Sequence, residues 1–309
     1  MERPTLSIYV PTFNHEHYIV QALDSILMQE TAYTYEVLVG EDCSTDNTRA
    51  VLKEYEKQHP GKLQVFYREQ NMRKQGSAVG NSGDLRSRCR GKYIIALEGD
   101  DYWTDPCKID KQIRFLEEHP DYIAVAHNCV VVDHDSNRKE ETYPQCTDTE
   151  YTFDHFARDI MPGQLTTVML RNVYHDDRYD TSLLSKRIIP GDRLIYFWLL
   201  SNGKIHCIQE EMSAYRHVTT QGSSFSATSK YHFATYETLY SIFMEYARER
   251  NHKEALLCAE RLYFRNLRVG SVFGQCSLKD SLRYFRKIRN KAKVLLLYIP
   301  TMMESRKQS

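Results

Sequence analysis

Three carboxylates, Glu98, Asp100 and Asp101, stand around one glycine in the run Leu97-Glu98-Gly99-Asp100-Asp101-Tyr102-Trp103. Carboxylates packed this closely repel one another unless a cation or a charged ligand neutralises them. The run is therefore either a solvated acidic turn or a place where protein oxygens hold a hard cation. It follows the apolar Tyr93-Ile94-Ile95-Ala96 and precedes a helix-like segment opened by Asp105-Pro106. Two more polar groups stand in the same relation to an apolar, β-rich run: Asn14 after Leu6 to Val10, and Asp42 after Tyr35 to Val39. In an open α/β sheet, ligands bind beyond the carboxyl ends of the strands, so Asn14, Asp42 and Asp100 can share one crevice.

The elements that would position these groups are legible in the periodicity. From His15 to Gln29 the positions Ile19, Ala22, Leu23, Ile26 and Leu27 follow helical spacing. Ser44 or Thr45 is placed to cap a second helix with Val51, Leu52 and Tyr55 on its inner face, stopping at His59-Pro60-Gly61. Leu63 to Tyr67 reads as a third strand and Lys92 to Leu97 as a fourth, separated by a polar loop and a helix ending near Arg90-Gly91. A helix over 106–118 turns Ile109, Ile113 and Leu116 inward, and Tyr122 to Val132 is a long β-rich run. This alternation predicts an open, mostly parallel α/β sheet flanked by helices. Beyond residue 133 we expect a polar loop over 134–150, a strand from Leu165 to Leu170 and a helix from Leu194 to Leu200. A short strand from Lys204 to Ile208 follows, then helices from about Thr228 with breaks near Asn251 and Gly270 to Gly274.

The 309 residues suffice for one large domain, or one domain with an appendage. Lys plus Arg and Asp plus Glu balance at 41 each, which gives no reason to expect a polyanionic partner. The balance hides an asymmetry, because Glu245 to Ser309 holds 15 basic residues against 6 acidic ones. The eight cysteines form no C-x-x-C pair, Met1-Glu2-Arg3-Pro4 does not read as a signal peptide, and a reducing cytoplasmic setting is expected. The longest apolar candidate, Val294 to Ile299, is far short of the roughly twenty residues that span a bilayer.

Taken in order, Val10-Pro11-Thr12-Phe13-Asn14, Glu41-Asp42-Cys43-Ser44-Thr45-Asp46-Asn47-Thr48, Gly91-Lys92-Tyr93-Ile94 and Glu98-Gly99-Asp100-Asp101 resemble the family-two glycosyltransferases of the GT-A fold, of the bacterial surface-polysaccharide type. Each motif alone is weak; four in sequence over roughly residues 5–220 are specific. The resemblance implies transfer of a sugar from a nucleotide diphosphate donor, UDP-linked, to a glycan or lipid-linked acceptor hydroxyl with inversion. It implies a catalytic domain over 1–225, with the donor bound by 1–133 and the acceptor and base region in 134–225. A basic helical extension over 226–309 completes the chain.

By the same resemblance, Pro11, Thr12 and Asn14 line the nucleoside pocket and Asp42 accepts the base imide, a task suited to an acceptor-only carboxylate. Asp42 and Asp46 also suit a capped turn, the plainer role for Asp46. Glu98-x-Asp100 occupies the place of the family's D-x-D element, so Asp100 is the expected ligand of Mn²⁺ or Mg²⁺. Asp101 then supports the site or touches the donor sugar. Glu98 departs from the usual Asp and is left to a ribose contact or to backing the ligand. Gly191-Asp192 matches an acidic pair whose first member is absent here, which makes Asp192 the expected general base, alongside a role in capping its helix. Tyr215-Arg216-His217 and Gly222-Ser223-Ser224 resemble a diphosphate-contacting segment and a closing loop. Arg216 or His217 is the expected diphosphate contact, Arg216 being the one assigned to the donor, and a surface basic pair beside a mobile loop is the plainer reading. Trp103, Trp198 and His127 read as core residues.

The tail alternates Leu278, Leu282, Phe285 and Ile288 with Arg283, Arg286, Lys287, Arg289, Lys291 and Lys293. It suits either an anionic membrane surface, making the protein peripheral at the inner face of the plasma membrane, or a helical hairpin with a solvated cationic face. No nucleic-acid module accompanies the charge. Two other readings compete with a transferase. A nucleotidyltransferase would want a Gly-rich, basic loop where Pro11-Thr12-Phe13-Asn14 stands, and an inert nucleotide-sugar-binding module is kept open by Gly191 and Glu98. No G-x-G-x-x-G follows the first strand, which disfavours a dinucleotide dehydrogenase.

Overall fold

The apolar runs at Leu6, Tyr35, Gln64 and Tyr93 form adjacent parallel strands in the computed structural model, and those of β1 and β4 at its centre are buried on both faces. The structure describes residues 3–72, 74–77, 80–186, 191–218 and 231–297. Along the chain come β1 (Leu6–Thr12), α1 (Ile19–Leu27), β2 (Tyr35–Glu41), α2 (Thr48–Gln58), β3 (Gln64–Tyr67), α3 (Gly80–Arg88), β4 (Tyr93–Ala96), β5 (Tyr102–Trp103), α4 (Lys108–Glu118) and β6 (Tyr122–Val132). Then follow β7 (Glu150–Tyr151), α5 (Phe153–Ala157), β8 (Met169–Arg171), α6 (Gly191–Asn202), β9 (Lys204–Arg216), α7 (Phe233–Glu249), α8 (Lys253–Val272) and α9 (Leu278–Phe285). The strand order is β3-β2-β1-β4-β8-β6-β9-β5, with β7 also on β9. The sheet is mixed: β8 runs antiparallel between β4 and β6, β9 is parallel to β6, and β5 and β7 are antiparallel to β9.

The chain divides into two compact units. One comprises Met1–Tyr151, Met161–Arg187 and Asn202–Ser229; the other comprises Thr152–Ile160, Ile188–Ser201 and Lys230–Ser309. The first is the sheet unit. Its core joins Ile8, Val10, Val39 and Ile95 of the strands to Ile19, Leu23, Leu52, Ile109 and Ile113 of the helices. Trp103 is buried there, with its indole N–H donated to the Thr166 carbonyl at 3.3 Å and Lys108 Nζ 4.1 Å from its ring centroid. His127 is a core residue too. Burial, with the nearby Lys108 charge, holds its ring well below the usual histidine range, and its Nε2 is buried without a partner.

The helical unit has its own aromatic core. Phe197 of α6 stacks on Phe243 of α7, centroids 4.0 Å apart and planes at 3°, and Phe153 and Phe156 of α5 lie against Phe197 at 5.9 Å and 6.3 Å. Trp198 is fully buried on the same helix. Asp159 pairs with both Arg193 and Arg265, and Arg261 reaches Asp154 at 2.7 Å. None of the described helices is long and apolar enough to cross a membrane. All eight cysteines are free thiols.

Three elements differ from the sequence reading. Ser44 and Thr45 do not cap α2, because their hydroxyls serve Asn14; Asp46 Oδ1 instead accepts the Thr48 N–H at 3.0 Å. Leu165 to Leu170 is a 3₁₀ turn (Leu165–Thr167) followed by the short β8, not one strand. The strand expected at Lys204 to Ile208 continues to Arg216.

Candidate functional site

β1 lies between β2 and β4, and the turns leaving these three strands are bonded to one another. The turn after β4 folds back on β1 through Leu97 N–H to Tyr9 O (3.0 Å) and Gly99 N–H to Pro11 O (3.2 Å). The N–H and C=O of one residue in a strand point to the same side, so the donor that Pro11 lacks falls where β4 has already ended. Gly99 is required by contact. A Cβ there would stand 2.7 Å from both His15 Nδ1 and Thr12 Oγ1. The turn after β2 joins β1 through Asp42 N–H to Thr12 O at 3.0 Å.

Asn14 locks the turns after β1 and β2 together. It adopts φ 57°, a conformation asparagine tolerates better than most residues. Its backbone N–H donates to Ser44 Oγ (3.0 Å), its Nδ2 to Thr45 Oγ1 (3.1 Å), and its Oδ1 accepts the Thr45 N–H (2.8 Å). Next to it, buried Glu41 accepts the Ser44 N–H and pairs with Arg49. Asp42 is buried and takes the Met72 N–H on Oδ1 at 2.8 Å. Burial raises its carboxyl above the ordinary range, while the Met72 bond and the Arg68 charge pull the other way.

The three acids that opened the sequence reading have distinct surroundings. Asp101 is buried with both oxygens engaged: Oδ1 accepts the Arg216 N–H (2.8 Å) and Oδ2 the Gln164 amide (3.1 Å). Burial and then the Asp100 charge hold it well above the usual carboxylate range. Glu98 is half-buried, and enclosure by protein pushes it up to about 8; Asp100 adds to the rise and Arg86 opposes it. Asp100 is the open member, its side chain 21% exposed, with Oδ2 3.7 Å from His15 Nε2. Three crowded carboxyl groups, with Asp100 partly open to solvent, fit a hard cation, which takes one or two protein carboxylates plus substrate phosphates. The crowding expected of Glu98, Asp100 and Asp101 is present.

Arg216, the expected diphosphate contact, is held firmly by the protein around it. Its guanidinium donates to five protein oxygens: Asp100 O (2.9 Å), Asp133 O (2.7 Å), His134 O (2.7 Å), Gln21 Oε1 (2.7 Å) and Ser136 Oγ (3.0 Å). The Tyr18 ring centroid lies 4.4 Å from the guanidinium carbon. Arg216 thus ties β9, α1 and the loop after β6 to the acidic turn. His217 pairs with Glu141 at 2.7 Å. Gly222-Ser223-Ser224 lies outside the described residues.

Asp192 belongs to the helical unit, in the first turn of α6 with Gly191, where it is half-buried and its Oδ1 accepts the Arg193 N–H at 2.8 Å. The structure therefore brings Pro11, Thr12, Asn14, Asp42, Glu98, Asp100, Asp101 and Arg216 into one unit and assigns Asp192 to the other. Sequence reasoning misses His15, Arg86 and Gln164. His15 directly follows the Pro11 to Asn14 run and is within its reach; Arg86 and Gln164 come to the site only through long-range contacts.

With this geometry in place, the relationships of the chain are informative. The family model for Glycosyl transferase family 2 matches residues 7–178, more than half of the chain. The chain belongs to glycosyl transferase family 2. It is 30% identical over 212 residues to the Mycobacterium tuberculosis protein Rv1520, covering 68% of this chain and spanning 58% of that relative's length. It is 35% identical over 116 residues to TuaG of Bacillus subtilis, named as a putative teichuronic acid biosynthesis glycosyltransferase, covering 38% of this chain and 43% of TuaG. In fold, it is similar to Staphylococcus aureus TarS 1–349, solved in complex with UDP-GlcNAc. The TM-score is 0.60 at 20% identity over 87% of this chain and 73% of that one. The mixed, mostly parallel sheet of this family-two chain is accordingly GT-A-like, as the sequence motifs implied.

Proposed function

We propose that this family-two protein moves a sugar from a UDP-linked donor to a hydroxyl of a glycan or lipid-linked acceptor, with inversion, in polysaccharide or lipopolysaccharide assembly. The observation that carries the reading is the acidic turn itself, where an accessible Asp100 is set beside Glu98 and Asp101, whose carboxyls are both raised. TarS supports the donor class through its bound UDP-GlcNAc, and TuaG the polysaccharide setting through its name.

In this reading Pro11, Thr12, Asn14 and Asp42 shape the nucleoside pocket. Asp42 keeps Oδ2 for the base imide, since Met72 occupies Oδ1. Asp100 would hold Mn²⁺ or Mg²⁺, with Glu98 behind it. A bound ion would supply Lewis-acid neutralisation of the charge that grows on the departing diphosphate. Asp101, its oxygens fixed by Arg216 and Gln164, keeps the turn in shape beside the donor sugar. Asp192 takes the proton of the acceptor hydroxyl as that oxygen attacks the anomeric carbon.

Calorimetry with a panel of nucleotide-sugars and Mn²⁺, joined to a transfer assay, tests the assignment. Asp100→Ala should abolish metal-dependent donor binding. Asp192→Asn should bind donor and metal as the parent does while transfer falls at least ~100-fold, the lower end for loss of a general base. Donor binding unchanged in Asp100→Ala would return the acidic run to a plain turn. Full transfer by Asp192→Asn at neutral pH would remove Asp192 from the chemistry.

A further inference from the structure

Large apolar side chains stand exposed at Val20 on α1 and at Met28 just after it, and otherwise only between residues 272 and 296 among the described residues. There Val272 is 80% exposed, Phe273 67%, Leu282 61%, Leu295 42% and Leu296 68%. The same stretch carries exposed Lys279, Arg283, Arg286, Arg289, Lys291 and Lys293, none of them in an ion pair among the described residues. Its one acid, Asp280, accepts the Ser277 hydroxyl at the start of α9. Lys287 is the exception among the cations, paired with Glu237 at 2.9 Å.

These apolar groups are not a core that failed to close. The inward positions are already filled: Ile288 and Val294 are fully buried, and the Phe264 and Phe285 rings lie 5.6 Å apart. Fully buried Glu260 on α8 anchors the segment by accepting the Arg289 N–H (2.7 Å) and the Asn290 N–H (3.0 Å). The Ser271 and Ser281 hydroxyls meet at 2.8 Å, which joins the end of α8 to α9. A second apolar set thus faces outward from an anchored scaffold, among cations that lack acidic partners.

We propose that this outer face of residues 272–297 docks on an anionic lipid bilayer surface. Phe273, Leu282, Leu295 and Leu296 enter the boundary between headgroups and acyl chains, and the unpaired cations meet headgroup phosphates. A merely solvated cationic face would have no use for outward Phe and Leu side chains. An uncharged apolar partner would have no use for six unpaired cations. The lysine and arginine stems can lie along the apolar surface with their charges at headgroup level.

The test uses the full-length protein and vesicles of phosphatidylcholine with or without phosphatidylglycerol, with no donor or acceptor present, so it stands apart from the transferase reading. Binding should require phosphatidylglycerol and weaken as salt rises. Neutralising Arg283→Gln and Arg286→Gln together should lower the partition coefficient roughly 30-fold, at about 1 kcal/mol per cation. Leu282→Ser with Leu296→Ser should also weaken binding while leaving the thermal melt unchanged, because both side chains are exposed. Equal binding to both vesicle types, or to neither, would overturn the proposal. So would a self-associated protein in vesicle-free sedimentation that becomes monomeric in the Leu282→Ser, Leu296→Ser variant, since the face would then serve a second copy.

Discussion

Arg216 shows how a residue expected to face the donor can also carry a structural load that its sequence context does not announce. The resemblance makes it an expected diphosphate contact, and its guanidinium also donates to five protein oxygens. Only a guanidinium fork can serve acceptors on so many sides at once, and an ammonium offers three donors from a single point. Arg216→Lys should therefore leave several buried acceptors unpaired and cost on the order of 3 kcal/mol in urea unfolding. Donor affinity should fall in step with that loss, because the same guanidinium holds the Asp100 carbonyl. A lysine variant with parental stability but lost donor binding would point to a direct diphosphate contact instead. Asp42, Asp100 and Asp101 are legible in the sequence because carboxylates after buried strands are conspicuous. That Asp101 is locked while Asp100 is open depends on Gln164 and Arg216, which lie 63 and 115 residues further along the chain.

Elements are legible where one face of a regular pattern is buried and illegible where the pattern is interrupted. Tyr122 to Val132 reads from the sequence with its observed ends. β9 reads as ending at Ile208 because Gln209-Glu210-Glu211 breaks the apolar run. There the register against β6 slips, His127 opposing Ile208 and Asn128 opposing Glu211, so two extra residues bulge outward while the strand continues. The parallel half is pinned by Glu36 on β2, which accepts the Ser7 hydroxyl (2.6 Å), the Arg90 N–H (2.9 Å) and the Arg90 guanidinium (2.6 Å). Burial by itself would raise this carboxyl; the Ser7 and Arg90 bonds outweigh burial and hold it below its ordinary value. A depressed folded value means the contribution is fully present above the unfolded carboxyl's pKa and is lost as pH falls through the folded one. Glu36→Gln should thus cost about 1–2 kcal/mol at neutral pH, with the gap to the parent closing on acidification. Urea unfolding across that range checks it, and a gap independent of pH would mean the bonds do not depend on the charge.

At the scale of the whole molecule, the boundary expected at residue 225 meets a division that crosses the chain several times, because Thr152–Ile160 and Ile188–Ser201 group with the C-terminal helices. No local pattern announces this, since it rests on pairings such as Phe197 with Phe243 that join positions far apart in sequence. The consequence is that α6, the helix carrying Asp192, is packed by residues a 1–225 fragment would lack. Phe197, Trp198 and Leu199 are fully buried in the intact chain, and an aromatic side chain of this kind covers about 150–250 Å². Cutting at 225 should expose that surface, giving a fragment that binds hydrophobic dyes, tends to aggregate and transfers no sugar. Within the full chain, Phe243→Ala should cost about 3–5 kcal/mol. Hydrogen exchange should then show protection lost from α6 and α7 while β1 and β4, whose core lies in the sheet unit, keep theirs. A soluble, cooperatively melting 1–225 fragment that still transfers sugar would show the C-terminal helices to be dispensable. Uniform loss of protection in Phe243→Ala would show that the two units unfold as one.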